Sequence, residues 1–271
     1  MSIRLGFTET TVLFFFYLDT LHIDKTYYKD SQHSLLNWLY TTSGFYDKQI
    51  KGSYFDFNTN MILSSQVYHQ YFSTVLNILK NTNLHVFLCF HKIHDSLLPY
   101  KEAFLQHINY YHKAQPMHIF DFMRNKKLLI INNFGCLMQQ QYNSGNLKYI
   151  HSNFPMIQKI EYLLNGYTFF NNGPNQSILE TANHLCNNIN NYDFDACVIS
   201  SGAYSILLAN HVHNVLHKEV FIIGGDLPFY FGIKTQRTIN FHKDKINEYF
   251  ISVPEELKPD GYQKIENGSY W

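Results

Sequence analysis

Residues 193–233 decide the fold. They read Asp193-Phe194-Asp195-Ala196-Cys197-Val198-Ile199-Ser200-Ser201-Gly202-Ala203-Tyr204, then a helical run, then Glu219-Val220-Phe221-Ile222-Ile223-Gly224-Gly225-Asp226, and close on Phe231-Gly232-Ile233. Residues 196–199 are short, apolar and partly β-branched, the signature of a strand buried on both faces of a parallel sheet. Gly202 stands where a strand turns sharply into a helix. Residues 220–223 form a second buried strand that ends on a glycine pair. The stretch is therefore one βαβ unit with glycines at the carboxyl ends of both strands. In open α/β sheets that edge is where ligands bind, because backbone N–H groups can approach an anion there. The spacing alone also fits glycines kept for purely steric reasons.

Outward from this unit, strands and helices alternate. Residues 2–4 read as a short first strand. Residues 8–21 read as an unusually apolar helix, with Phe14, Phe15, Phe16 and Tyr17 as core. Residues 31–39 suit a short helix capped by Ser31. Residues 44–60 are turn-rich and aromatic and read as a surface loop. Val67, Tyr71, Val75, Ile78 and Leu79 recur at helical spacing within residues 65–80. Residues 84–90 read as a strand, and residues 100–112 as a helix with Pro99 near its start. Residues 127–131 form a strand followed by an Asn132-Asn133-Phe134-Gly135 turn. Residues 176–189 are a helix feeding the βαβ unit. This order predicts a mainly parallel, Rossmann-like α/β sheet with helices on both faces, in one domain over residues 1–271. Residues 253–271 are expected to wrap over it as a tail.

Composition narrows the function classes. Lys and Arg total 21, Asp and Glu total 21, and the formal net charge is zero. No global field draws such a chain to nucleic acid or acidic lipid, so no nucleic-acid partner is expected. The longest apolar run, residues 12–18, is too short to span a bilayer, and no transmembrane segment or signal peptide is expected. Cys89, Cys136, Cys186 and Cys197 show no zinc-ligand or CxxC spacing, and they read as free thiols in a reducing, cytoplasmic setting. His213 and His217 lie four apart on a helical stretch but lack an acidic third ligand. They read as a polar outer face. His91 and His94 follow a strand end, in a position to line a cleft.

Separate segments carry a resemblance. Arg4-Leu5-Gly6-Phe7-Thr8-Glu9 is similar to the arginine-glycine-acid motif that opens bacterial glycosyltransferases of the GT-D fold type. The run from Lys126 to Phe134, with Gln141-Tyr142 after it, is similar to their middle strand. Gly202-Ala203-Tyr204, Gly224-Gly225, and Phe231-Gly232-Ile233-Lys234 with Arg237 resemble their ligand-edge turns. Asn247-Glu248-Tyr249 and Tyr270-Trp271 resemble their closing motifs. The likeness runs in order over nearly the whole chain. It implies a GT-D-like fold and transfer of a sugar from a nucleotide-sugar donor to a glycan or glycolipid acceptor. The family carries an Asp-x-Glu pair that helps bind Mn2+ or Mg2+ with the donor diphosphate. Here Phe7 replaces the first acid and Glu9 remains, Asn132-Asn133 stands where His-Pro is usual, and Pro228 stands near a usual Gln.

On that resemblance Glu248 is the expected general base, and Glu9 the catalytic or metal-holding carboxylate. Donor-binding positions are Arg4, Gly6, Gly202, Ala203, Tyr204, Gly224, Gly225, Asp226, Gly232, Lys234, Arg237 and Asn247. Residues alone also allow plain alternatives: Glu9 in a helix first turn favoured by the macrodipole, Asp226 in a turn, and Glu248 exposed beside Lys245. The incomplete acid pair leaves a second reading, a relative without turnover that binds a nucleotide, a glycan or a protein partner. A different nucleotide-dependent enzyme, such as a methyltransferase, would need an acid ending the second strand to reach a ribose, and no such residue stands out.

Overall fold

The computed structural model describes residues 2–50, 59–81, 85–88, 90–110 and 117–271. In chain order its elements are β1 Ser2–Leu5, α1 Phe7–Thr20, α2 Lys29–Thr41, α3 Thr59–Ser64, α4 Gln66–Asn81, β2 His85–Leu88, α5 Leu98–His107 and α6 Ile119–Met123. There follow β3 Lys127–Ile131, α7 Gly135–Asn143, α8 Leu147–Ile150, β4 Lys159–Leu163, α9 Ile178–Ile189, β5 Ala196–Ile199 and α10 Ser205–Asn210. The last are β6 Glu219–Ile222, α11 Leu227–Tyr230, β7 Ile233–Lys234, α12 Gln236–His242 and β8 Ile251–Ser252. Six strands form one sheet in the order β2-β1-β6-β5-β3-β4, and every pairing is parallel. β7 and β8 make a separate two-stranded parallel pair.

The central strands are apolar throughout because both of their faces are covered. Leu129, Ile131, Cys197, Ile199, Val220 and Ile222 belong to one core with α1, α2, α4, α5, α9 and α10. Leu128, Ile130, Ala196, Val198, Phe221 and Ile223 belong to a second core with α6, α7, α8, α11 and the C-terminal residues. The alternation follows the two-residue period of a strand. The register Leu129↔Cys197↔Val220 and Ile131↔Ile199↔Ile222 keeps like faces together. α1 is buried nearly all round, with Val12, Leu13, Phe14 and Leu18 at 0% exposure. Its rings pack against neighbours on several sides: Phe14 on Phe104, Phe15 on Tyr28 and Phe16 on Phe72. Asp19 closes the same helix by accepting from the Tyr28 hydroxyl and from Gln32 Nε2, and by pairing with Lys25.

The α/β architecture agrees with the sequence reading, and β3 and β5 coincide with their expected bounds. Several expectations need correction. α2 begins at Lys29 without a side-chain cap, and Ser31 lies inside it. The buried, stacked ring of Tyr28 anchors the chain just before the helix and sets its start. Residues 44–50 are no surface loop: Phe45, Tyr46, Ile50 and Asp47 are all buried. Asp47 holds this segment down, accepting from Ser65 Oγ at 2.6 Å and pairing as an isolated bridge with Ser177. Residues 51–58 of that expected loop, Cys89 within the expected second strand, and the end of the 100–112 helix lie outside the described residues. β4, an edge strand, was not anticipated. His213 and His217 do not share a helical face, because α10 widens into a π turn over His211–Val215 and His217 takes a φ of 53°. The described cysteines Cys136, Cys186 and Cys197 are free, and burial pushes the Cys186 thiol up to about 11. Among the described residues no helix is long and apolar enough to cross a membrane.

The turn after β5 tests this framework. Gly202 sits at φ 51°, and a Cβ there would come within 2.4 Å of the Ser43 carbonyl oxygen. Backbone cannot retreat as a flexible side chain can. Gly202→Ala is expected to lower unfolding stability by about 2 kcal/mol, read as the shift of the urea midpoint. An unshifted midpoint would show that the turn is not constrained in this way.

Candidate functional site

A cleft of about 710 Å3 opens at the carboxyl edge of the sheet. Leu5-Gly6 after β1, Asn132–Phe134 after β3, Ser200–Gly202 after β5 and Ile223–Asp226 after β6 all line it. Its rim is built from Thr42–Gly44 after α2, residues 165–169 after β4, α12, and Glu266, Tyr270 and Trp271 from the tail. A volume in the roughly 300–1,000 Å3 range suits a small-molecule ligand. The place is the one where parallel sheets put such sites.

Gly6, Glu9, Gly202, Tyr204, Gly224, Gly225, Asp226 and Arg237 meet in this cleft. Glu9 stands in the first turn of α1 and folds back over Gly6, so that a Cβ on Gly6 would come within 2.4 Å of its Oε2. Among the described residues Glu9 has neither a hydrogen-bond nor an ion-pair partner. Gly224 and Gly225 likewise have amide N–H groups with no acceptor among the described residues. The Gly224 carbonyl is occupied, accepting from Ser200 Oγ and from the Leu227 amide. Gly225 is required for close approach: a Cβ there would come within 2.9 Å of the Tyr270 ring and 3.0 Å of Arg237 Nε. Arg237 in turn donates from Nε to Asp226 Oδ1 at 3.2 Å.

Several expected positions do not present the groups expected of them to a ligand. The Arg4 backbone belongs to β1, paired with Phe87, and its side chain lies outside what the structure describes. The Ala203 amide donates to Ser43 O and the Tyr204 amide to Ser201 O, so neither is presented to a ligand. Tyr204 is 1% exposed, and its hydroxyl donates to Thr168 Oγ1 within the protein. Its ring is a packed wall of the cleft rather than a stacking face. Gly232 is structural: a Cβ there would collide with Ile150, and its carbonyl accepts from Gln141 Nε2. Lys234 lies in β7, away from the cleft lining. Asn247 donates to Tyr149 O, and Glu248 beside it is exposed and outside the cleft lining. The β7–β8 pair and the stacked Tyr149 and Tyr249 rings hold that segment against α8 instead. A general base must reach the proton that it removes, and Glu248 is not so placed.

The structure gives contacts to residues outside the expected catalytic and donor-binding set. Asn132 Nδ2 donates to Ser200 O, and its Oδ1 accepts from the Phe134 amide. Asn133 and Gly166 exchange two hydrogen bonds of 2.9 Å. The Asn132-Asn133 pair thus ties the ends of β3, β4 and β5 together. Of the two histidines after β2, His91 lines the cleft and His94 instead caps the turn at Ser96. Burial pulls His91 down from its ordinary value, against the opposing influence of Glu9. Burial likewise lowers His242, with Asp226 opposing. Among the described side chains, the carboxylates of Glu9, Asp226 and Glu266 and the guanidinium of Arg237 face the cleft.

Comparison with protein-family models, with curated proteins and with solved structures finds no match to this chain.

Glu266 is the hinge of the rim. Its Oε1 accepts from Trp38 Nε1 at 2.9 Å and from the Tyr270 hydroxyl at 3.0 Å, joining α2 to the tail across the opening. Burial, helped by Glu266, raises the Tyr270 phenol. Beyond it the carbonyls of Ser269 and Trp271 accept from the Arg237 and Gln236 amides, satisfying orphan donors at the start of α12. Glu266→Ala is expected to loosen the tail. The Gln236 and Arg237 amides should then exchange hydrogen several-fold faster, while the β5 amides keep their protection. Unaltered exchange at Gln236 and Arg237 would show that the tail is held without Glu266.

Proposed function

We propose that this protein is a GT-D-like glycosyltransferase that moves a sugar from a nucleotide-sugar donor to a glycan or glycolipid acceptor. One observation carries the reading. Glu9, Gly202, Gly224, Gly225, Asp226 and Arg237 come from distant segments and line one cleft at the carboxyl edge of a parallel sheet.

Glycosyl transfer makes two demands on such a cleft. Charge that builds on the departing diphosphate must be met, and the oxocarbenium-like sugar must be oriented. The Gly224 and Gly225 amides, which have no acceptor among the described residues, and the Arg237 guanidinium, fixed by Asp226, are the donors suited to the diphosphate. Glu9 is a cleft carboxylate suited to the electropositive side of the reaction. Among the described residues no cluster of three or more His, Cys, Asp or Glu forms a closed metal cage. A lone carboxylate still fits Mn2+ or Mg2+, which are commonly held by one or two carboxylates together with substrate phosphates. Glu9 would hold such an ion, whose contribution is neutralisation of diphosphate charge.

A second reading has its own support: Phe7 stands in place of the first acid, and among the described residues Glu9 belongs to no cluster of three or more metal-ligating side chains. Under it the protein binds a nucleotide, a glycan or a protein partner without turnover.

A thermal-shift series with nucleoside diphosphates, with and without Mn2+, tests the donor reading. Ligand at 100 times its Kd should stabilise the fold by about 2.7 kcal/mol. Indifference to every nucleotide would remove the transferase reading, and binding without donor hydrolysis or transfer would favour the second. Glu9→Gln should abolish any Mn2+ dependence of nucleotide binding; a dependence that survives excludes Glu9 as a ligand. Glu248→Gln should leave binding and turnover as they were, and lost turnover would return it to the site.

A further inference from the structure

We infer that Phe241 is the platform on which the nucleobase of the donor stacks, which makes it a specificity-determining residue of the cleft. The inference rests on the nucleotide-sugar reading above and assigns one part of that ligand to one wall.

The wall begins at the Gly224 and Gly225 amides, which have no acceptor among the described residues. Arg237 follows, its Nε 3.0 Å from the place where a Gly225 Cβ would stand. Next comes Phe241, whose ring lies 5.0 Å from the guanidinium carbon. Arg237 and Phe241 are four apart in α12 and so share a helical face. The order along the wall is amide donors, cation, planar ring. A nucleoside diphosphate presents its groups in the matching order: phosphates first, the flat base last.

Phe241 is 66% exposed although it lines the cleft, against 38% for Trp38 on the same rim. An exposed phenylalanine alone means nothing. Here one face is backed by a guanidinium that Asp226 fixes at 3.2 Å, which leaves the ring oriented and its exposed surface available to a second planar group. The adjacent His242 is committed elsewhere, stacked on Phe229 at 3.9 Å between ring centroids. A pyranose can also lie on an aromatic face, but it carries no phosphate to engage the amides and the cation beside this ring. Stacking on an aromatic face tolerates any base, so Phe241 sets the requirement for a nucleoside rather than the choice among nucleobases.

Calorimetric titration of the full chain tests the assignment, with wild type, Phe241→Ala and Phe241→Trp, against UDP, CDP, ADP, GDP and inorganic pyrophosphate, all with Mn2+. Phe241→Ala should weaken each nucleoside diphosphate about tenfold and leave pyrophosphate within about twofold, and Phe241→Trp should restore nucleotide affinity. If Phe241→Ala binds nucleotides as wild type does, or weakens pyrophosphate equally, or alters only the KM for an acceptor glycan, the stacking role is wrong while the donor reading stands. If wild type binds no nucleoside diphosphate, both fall together.

Discussion

Burial of both faces of a parallel sheet is the constraint from which the rest of this structure follows. β3, β5 and β6 have no solvent face, so no polar side chain can project from their middles without losing hydration. Polar groups are driven to the strand ends. At the carboxyl edge they gather as Asn132, Asn133, Ser200, Ser201 and Gly224, which bond between strand ends, and Asp226, which pairs with Arg237. Asn132 to Ser200 O and Ser200 Oγ to Gly224 O form a chain running along that edge. The same packing that excludes chemistry from the interior concentrates it in one line.

The cleft that results has few charges, and they are arranged economically. Asp226 and Arg237 hold each other, Glu266 serves the rim, and Glu9 is left unpaired among the described residues. A carboxylate at the N-terminal end of a long helix is favoured there by the macrodipole. It also repels a bare anion arriving at the same place.

Legibility in the sequence varied with how local the deciding interaction is. β3 and β5 were read correctly because each is a short, fully apolar run closed by Asn or Gly turns. β4 escaped because it is an edge strand whose Lys159 and Glu161 break the apolar pattern. The burial of Phe45 and Tyr46 depends on Asp47 meeting Ser65 and on the contact with Ser177, which no local pattern signals. The glycine turns after β5 and β6 line the cleft, whereas Glu248 shows the limit of motif order. Its neighbours fit a pattern, yet β8 and the Tyr149–Tyr249 stack carry them away from the cleft. Glu266 was invisible for a related reason: one of its partners, Trp38, lies 228 positions away.

The chain contains two tryptophans, and both of them, Trp38 and Trp271, stand on the wall of the same cleft. One is tied to Glu266, and the other is packed among Tyr167, Phe169 and Tyr262. Indole emission responds to local polarity and to quenching by nearby groups. The protein thus carries its own optical reporter, with no background from tryptophans elsewhere, and entry of a ligand into the cleft can be followed in unlabelled material.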